Sequence, residues 1–340
     1  MGRLTPDLFI TGIGAVTPVG LTAAQSLAAT RANTSGFEDR IQSHPFGSTQ
    51  SVASVPANWR LQRTPGEWLT NMAVRALAEV LDRDETVVLA AGPDAFRQHP
   101  AAETWPKEGF LSSLRARTDY AFHAASSEVS GGAAGIVGAL EQAAALIALG
   151  DAEEVILLAS DSYVNDRDIA RLKAAERLSG ETNAQGVIPG EGAVALRLAA
   201  VPRNPSDAVI RAVGTGQEAC PVIGERQSQG RGMQQALEGT ISEETPESAV
   251  DFIVANFNGE RYSGLEALIF RARHYRTHRP FMVTAFPAMS VGDIGSASGL
   301  YCLAVAADSF KEGYAPGAVA MCEVSSEAGE RAAAVVARGE

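Results

Sequence analysis

Apolar positions recur along this chain in short unbroken runs and in stretches of helical period, and the alternation of the two predicts its elements. Leu8 to Val16 is a short apolar strand ending in Gly12-Ile13-Gly14. A helix is expected from about Leu21 to Ala29, with Thr22 as its cap. Leu69, Met72, Ala73, Ala76, Leu77, Val80 and Leu81 return every three or four residues, which predicts an amphipathic helix. Thr86 to Ala91 then reads as a buried strand. Residues 33–65, rich in Ser, Gly, Pro and Asn, and residues 93–118 follow neither period and read as excursions.

The most informative stretch is 130–160. A small-residue turn, Ser130-Gly131-Gly132-Ala133-Ala134-Gly135, opens a helix that runs to Leu149. Gly150 stops it as a C-terminal cap does, and a strand follows from Val155 to Ala159. The same order returns at 295–325. There Gly295-Ser296-Ala297-Ser298-Gly299 opens a helix through Phe310, Gly313 lies past its end, and Ala318 to Val324 is a strand. The starts also echo each other, Phe9 to Gly14 against Ile210 to Gly216. Two echoes in matching order predict an internal duplication, with halves at 1–200 and 206–340 joined at Pro202-Arg203-Asn204-Pro205. Strands alternating with helices imply a mainly parallel, buried sheet in each half. Each small-residue turn sets a helix N-terminus, with free N–H groups suited to a thiolate or an oxyanion, toward a shared centre.

Charge and composition narrow the function. The 28 basic and 40 acidic residues give a net charge of −12, which opposes non-specific binding to nucleic acid or an anionic membrane. It also fits poorly with a broad docking surface for an acidic carrier protein, although Arg271, Arg273, Arg276 and Arg279 form a local patch around His274 and His278. Cys220, Cys302 and Cys322 are too few and scattered for a disulfide framework or a zinc site. The N-terminus does not read as a signal peptide and no apolar run reaches eighteen residues. A cytoplasmic globular α/β protein is expected, with no metal and no cofactor.

At this point the motifs resemble a family. Ile10-Thr11-Gly12-Ile13-Gly14-Ala15-Val16-Thr17-Pro18-Val19-Gly20 is similar to the opening strand and loop of the β-ketoacyl-acyl carrier protein synthases of the thiolase superfamily. The helix at 69–81, the Val87-Val88-Leu89 strand, the helix-Gly-Asp-Ala-strand at 133–159, Pro189-Gly190-Glu191-Gly192-Ala193, the strand Ala249 to Ile253 and the Gly292 to Gly299 turn follow in the family's order. The resemblance covers nearly the whole chain. It implies a thiolase-like α/β fold, two duplicated halves whose central mixed sheets sandwich buried helices. The chain is shorter than typical members, which implies trimmed loops around the acyl tunnel.

The family's catalytic groups are a nucleophilic Cys at the start of the central helix and two His residues. Counted back from Gly138, the Cys position falls on Ser130. A serine hydroxyl is a weak nucleophile without an adjacent base. Asn256 stands at the first His position and cannot shuttle a proton. Asp293 follows Gly292 at the second, where a carboxylate repels a developing enolate. The family's C-terminal glycine-rich loop is replaced by Ser325-Ser326-Glu327-Ala328-Gly329-Glu330. Four departures touch one chemistry, so the condensing activity of the family, an acyltransferase, is not expected here.

The remaining candidates are weighed against plainer roles. Ser130 suits a turn or a helix cap. Glu128 shares its strand face, whereas His123 should point away. Asn256, Asn258, Glu260 and Asp293 either line the old pocket or serve as turn residues. His274-x-x-x-His278 has metal-ligand spacing on a helix, but four arginines surround it. Gly12-x-Gly14 lacks the third glycine and the acidic residue of a dinucleotide site.

Three functions remain. The first is a non-catalytic partner, scaffold or chain-length-factor-like subunit, a homodimer or a heterodimer with a synthase-like sister, in contact with an acyl carrier protein. The second is an acyltransferase or thioester hydrolase using Ser130 or the cluster of Asn256, Asn258, Glu260 and Asp293. The third is an adaptor, suggested by a faint likeness of Asn258 to Tyr262 to synthase-like proteins encoded beside bacterial secretion systems. The family's dimers form through the strand before the nucleophile, here about Tyr120 to Val129.

Overall fold

The computed structural model describes residues 2–41, 49–56, 63–180 and 183–339. In chain order its first elements are β1 (Arg3–Val16), α1 (Ala23–Arg31), β2 (Phe37–Ile41), β3 (Thr49–Ala53), α2 (Pro65–Leu77), β4 (Val87–Ala91), α3 (Phe110–Arg115) and β5 (Ser127–Glu128). Next come α4 (Gly132–Gly138), α5 (Leu140–Ala148), β6 (Glu154–Ser162), α6 (Asp166–Ala174) and β7 (Glu191–Ala199). After the turn at 200–208 follow β8 (Val209–Gln217), α7 (Arg231–Thr240), β9 (Phe252–Ala255), α8 (Arg261–His274), β10 (Val283–Ala285), α9 (Ala288–Val291), α10 (Ala297–Lys311), β11 (Val319–Ser325) and β12 (Glu330–Ala337).

The strands run β5-β4-β6-β7-β1 and, continuing across β1, β8-β12-β11-β9-β10. From the centre outward, each set has an opening strand, a closing strand, then two inner strands and a short edge strand. The two inner pairings of each set are antiparallel and the two outer ones parallel. The sheets are therefore mixed rather than mainly parallel. The reason is that β7 and β12 return antiparallel beside the strands they follow, β12 through a short turn after β11 and β7 after α6.

Side chains alternate between two cores, as a strand's period of two requires. On β6, Val155, Leu157 and Ala159 face the central layer, while Ile156 and Leu158 face the outer helices α2 and α3. On β12, Ala332, Ala334 and Val336 face the centre, and Ala333 and Val335 face α7 and α8. α4, α5 and α10 share one buried core with strands of both sets. α10 is mostly apolar because it is buried all round: every residue from Ala297 to Phe310 is shielded from solvent, and its one acid in that span, Asp308, is paired with Arg31.

Local signals explain several boundaries. Thr22 caps α1 by accepting from the Gln25 N–H. α2 starts four residues earlier than its apolar stripe, because Thr64 and Glu67 cap each other's backbone around Pro65. Gly150 and Gly313 take positive φ past the ends of α5 and α10. Gly14 has a packing role: a Cβ there would lie 1.9 Å from the Ala76 carbonyl oxygen, so β1 and α2 touch through backbone.

Other expectations are corrected. The helix opened at 130–135 is two segments, α4 and α5, broken at Ala139. The stretch Tyr120 to Val129 is not one strand. A turn closed by the Ser126 N–H on the His123 carbonyl leaves only β5, with a single bridge upstream at Phe122. The excursion at 33–65 contains the β2–β3 hairpin, and its residues 42–48 and 57–62 lie outside those described. The one at 93–118 holds two single-turn helices and α3, each too short to carry a period. Among the described residues no helix is long and apolar enough to cross a membrane.

Candidate functional site

The strands' C-terminal ends and the starts of α4 and α10 converge on a cavity of about 70 Å³ between the two sheets. That holds a few water molecules, and beyond Arg177, Glu260 and Tyr262 lies a larger open cleft of about 1080 Å³. Asn256, Asn258, Glu260 and Asp293 all reach the wall of the smaller cavity. Asn256 is spent on structure, since its amide donates to the Ser325 carbonyl (2.8 Å) and accepts from the Ser325 N–H (2.9 Å). Asp293 accepts from Asn258 Nδ2 (2.8 Å) and from the Gly295 N–H (2.9 Å). Its burial still pushes the carboxyl up to about 6.

Ser130 does not take part. It is exposed and does not line the cavity; α4 enters the wall through Ala133, three residues further on. A methyl group there offers no nucleophile. Glu128 is exposed too, and its carboxylate accepts from the Leu111 N–H at the start of α3 (2.8 Å). The His123 Nδ1 accepts from the Ala125 N–H (3.1 Å). None of the three reaches the wall. One open amide of α4 is also occupied, because Ser326 Oγ accepts from the Ala134 N–H (2.9 Å) and donates to the Gly131 carbonyl (2.7 Å).

What fills the centre is an ion-pair network that links Arg97, Arg171 and Arg177 to carboxylates from distant segments, Glu260 and Glu327 among them. Arg97, on the loop after β4, donates through Nε and Nη2 to both oxygens of Asp168 (3.1 and 2.7 Å) and through Nη1 to Asp161 (2.6 Å). Its guanidinium lies 3.7 Å from the centre of the Tyr163 ring. Arg171 bridges Asp168 (3.2 Å) and Glu327 (3.0 Å). Arg177 pairs with both oxygens of Glu260 (2.6 and 2.9 Å) and with Glu327, which also accepts from Tyr163 Oη (2.8 Å). Burial opposes ionisation of Asp168 and Glu327, yet their arginines hold both carboxyls below the usual range. The loop that replaces the glycine-rich motif thus carries a plug, Glu327.

Close packing around the network has a testable consequence. Gly295 has φ +58°, and a Cβ on it would meet Asp161 Oδ2 at 2.0 Å. Gly295→Ala is expected to lower stability by about 1–3 kcal/mol from the backbone alone. A denaturant midpoint equal to the native one would contradict that packing.

Asp94 stands apart from the network. It lies against Gly132, and among the described residues its carboxylate accepts no hydrogen bond. Burial, with Asp161 and Glu330 nearby, pushes it up to about 7 from 3.8. An acid whose pKa rises on folding holds more protons in the folded state, so its contribution to stability falls as pH rises from about 4 to about 7. Asp293 adds the same sign up to about 6. Asp94→Asn should therefore raise the melting temperature above neutral pH and leave it unchanged near pH 4. A gain of equal size at both pH values would contradict this assignment.

The basic patch is partly consumed. Arg271 pairs with Glu323 (2.6 Å) and Arg279 with Glu247. α8 ends at His274, so His278 lies beyond the helix and the two imidazoles do not share a helical face. No group of three or more His, Cys, Asp or Glu suited to a metal occurs among the described residues. All three cysteines are free.

No protein-family model matches this chain, and no curated protein matches it in sequence. Solved structures do match over nearly its full length. A structure titled the ishigamide ketosynthase/chain length factor aligns with a TM-score of 0.78 at 16% identity, covering 99% of this chain and 100% of the other. A type II PKS ketosynthase, in complex with its acyl-carrier protein and bound to the hexaketide, gives 0.77 at 14%, covering 99% and 100%. A ketosynthase in complex with its chain length factor from Xenorhabdus doucetiae gives 0.73 at 14%, covering 98% of each chain. The chain has the thiolase-like fold of the ketosynthases.

Proposed function

We propose that this chain is a divergent ketosynthase-like protein without condensing activity, acting as a partner or scaffold subunit in the manner of a chain length factor. The observation that carries this reading is the filled centre. The small cavity is walled by Ala133, Asn256 and Asp293 and closed by the arginine–carboxylate network. Ion pairs occupy this centre, and among the described residues neither a cysteine nor a histidine stands on its wall. The repeated strand order supports an ancestral duplication with halves meeting between residues 200 and 206.

Two of the similar structures are complexes of a ketosynthase with a chain length factor or an acyl-carrier protein, which supports a synthase-like partner and contact with a carrier. The edge strand β5, paired on one side only, supports a dimer. A cytoplasmic setting fits three unpaired cysteines. Acyl transfer at Ser130 is less well supported, because among the described residues no base is hydrogen-bonded to that exposed hydroxyl. The test is light scattering on the chain alone and after co-expression with a ketosynthase from the same genome neighbourhood. A homodimer or a one-to-one complex is expected; a monomer in both samples contradicts the reading.

A further inference from the structure

α8 is charged on its inner face and apolar on its outer one. Inside, Glu266 is buried and accepts from Arg331 Nε (3.0 Å) and Nη2 (3.2 Å) and from Ser228 Oγ (2.9 Å). Outside, Leu265, Leu268, Ile269 and Ala272 follow at steps of three, one and three residues, which sets them along one stripe. Leu265, Leu268 and Ala272 are exposed and Ile269 is half-buried; Leu268 reaches 70%. A single exposed leucine is ordinary on a protein surface, but here they gather. Of the twelve large apolar side chains exposed among the described residues, five fall within 265–289: Leu265, Leu268, Phe281, Val283 and Met289. A buried ion pair behind an apolar outer stripe is the reverse of what water favours for a surface helix.

Charge says what suits this face. Arg261 opens α8 in line with the stripe, four residues before Leu265. A cation in the first turn opposes the helix dipole, and among the described residues its guanidinium has neither an ion pair nor a hydrogen bond. At the other end, Arg273 donates only to the Gln229 carbonyl (2.6 Å) and Arg276 only to the Ala272 carbonyl (3.3 Å). Neither carbonyl neutralises a charge. Arg271 and Arg279 close by are ion-paired, so Arg261, Arg273 and Arg276 stay unneutralised on a chain whose net charge is −12. A second copy of the chain fits poorly. Pairing α8 with α8 in either direction sets arginines against arginines, and like charges repel.

We propose that the outer face of α8 docks a helix of another protein, one whose apolar stripe is flanked at both ends by Asp or Glu. Leu265, Leu268 and Ile269 supply the seam, and Arg261, Arg273 and Arg276 pair with the acids at its ends. The proposal depends neither on the central cavity nor on a dimer through β5.

The test titrates two synthetic helical peptides into the full chain and follows fluorescence anisotropy. Both carry leucines at helical spacing; one has Glu on the flanks and the other Lys. Saturable binding of the acidic peptide is expected, about tenfold or more tighter than the basic one and weaker as salt rises. Leu268→Glu should weaken it about tenfold, and Arg261→Gln and Arg273→Gln about threefold each. Leu149→Glu, just past the end of α5 at 76% exposure, should leave it unchanged. Sedimentation velocity should give Leu268→Glu the same oligomeric state as the native chain. Its conversion to a smaller species would assign the face to a second copy and overturn the proposal. Equal binding of the two peptides, or no saturable binding up to ~100 μM, overturns it as well.

Discussion

Arg97→Met is expected to cost about 3–5 kcal/mol, because it strands buried carboxylates. Arg97 is 3% exposed, and it is the only cation that reaches Asp161 among the described ion pairs. Asp168 would keep Arg171, but Asp161 would keep only the N–H groups of Ser162 and Ser296. The native arrangement depresses the Asp168 carboxyl, so the stability it gives is present above pH about 4 and is lost as pH falls through the lower folded value. The cost of Arg97→Met should accordingly shrink in acid. Adding Asp161→Asn to the variant should recover part of the loss, since removing both charges is less harmful than removing one. Guanidinium titrations at neutral and acid pH measure all three. A loss below ~1 kcal/mol would mean that water reaches the network and that it does not plug the centre.

Glu327→Ala is the second large effect, expected at about 3 kcal/mol. The carboxylate answers Arg171, Arg177 and the Tyr163 hydroxyl at once. Truncation leaves two guanidinium groups short of a partner, although Glu260 still holds Arg177 and Asp168 still holds Arg171. Glu327→Gln keeps an acceptor without the charge and should recover part of the loss. Glu327→Ala should also enlarge the cavity, so a hydrophobic dye or a long-chain thioester that the native chain excludes becomes a useful probe. Equal stability of the alanine and glutamine variants with the native chain would show that the loop lies open in solution.

The fold was legible because burial wrote it into simple periods. α2 repeats every three or four residues, β6 is an unbroken apolar run, and the glycines after α5 and α10 punctuate the repeat. The strands with little burial were not legible. β2 reads Phe-Glu-Asp-Arg-Ile and β5 is two residues long, so neither has a pattern to detect. The directions within the sheet also escaped, since alternation of helix and strand does not say where a strand returns directly.

The site divides the same way. Asn256 and Asp293 follow strands and turns of clear register, and they do meet Asn258 and Glu260 at one cavity. Counting along the helix points to Ser130, but the helix enters the wall only at Ala133, three residues on. Arg97 sits on an aperiodic loop, and its partners Asp161, Asp168 and Glu327 come from distant segments. One signal was available: Asp161 is a charge at the end of a wholly buried strand, and such a charge requires a partner. Which partner is a three-dimensional fact.

The most direct test of the central claim is intact-mass spectrometry after incubation with acyl-CoA and acyl-carrier-protein thioesters, comparing the native chain with Ser130→Ala. No covalent adduct and no thioester consumption are expected from either protein. An acyl adduct on the native chain that disappears in Ser130→Ala would contradict the account and make this an enzyme with a serine nucleophile.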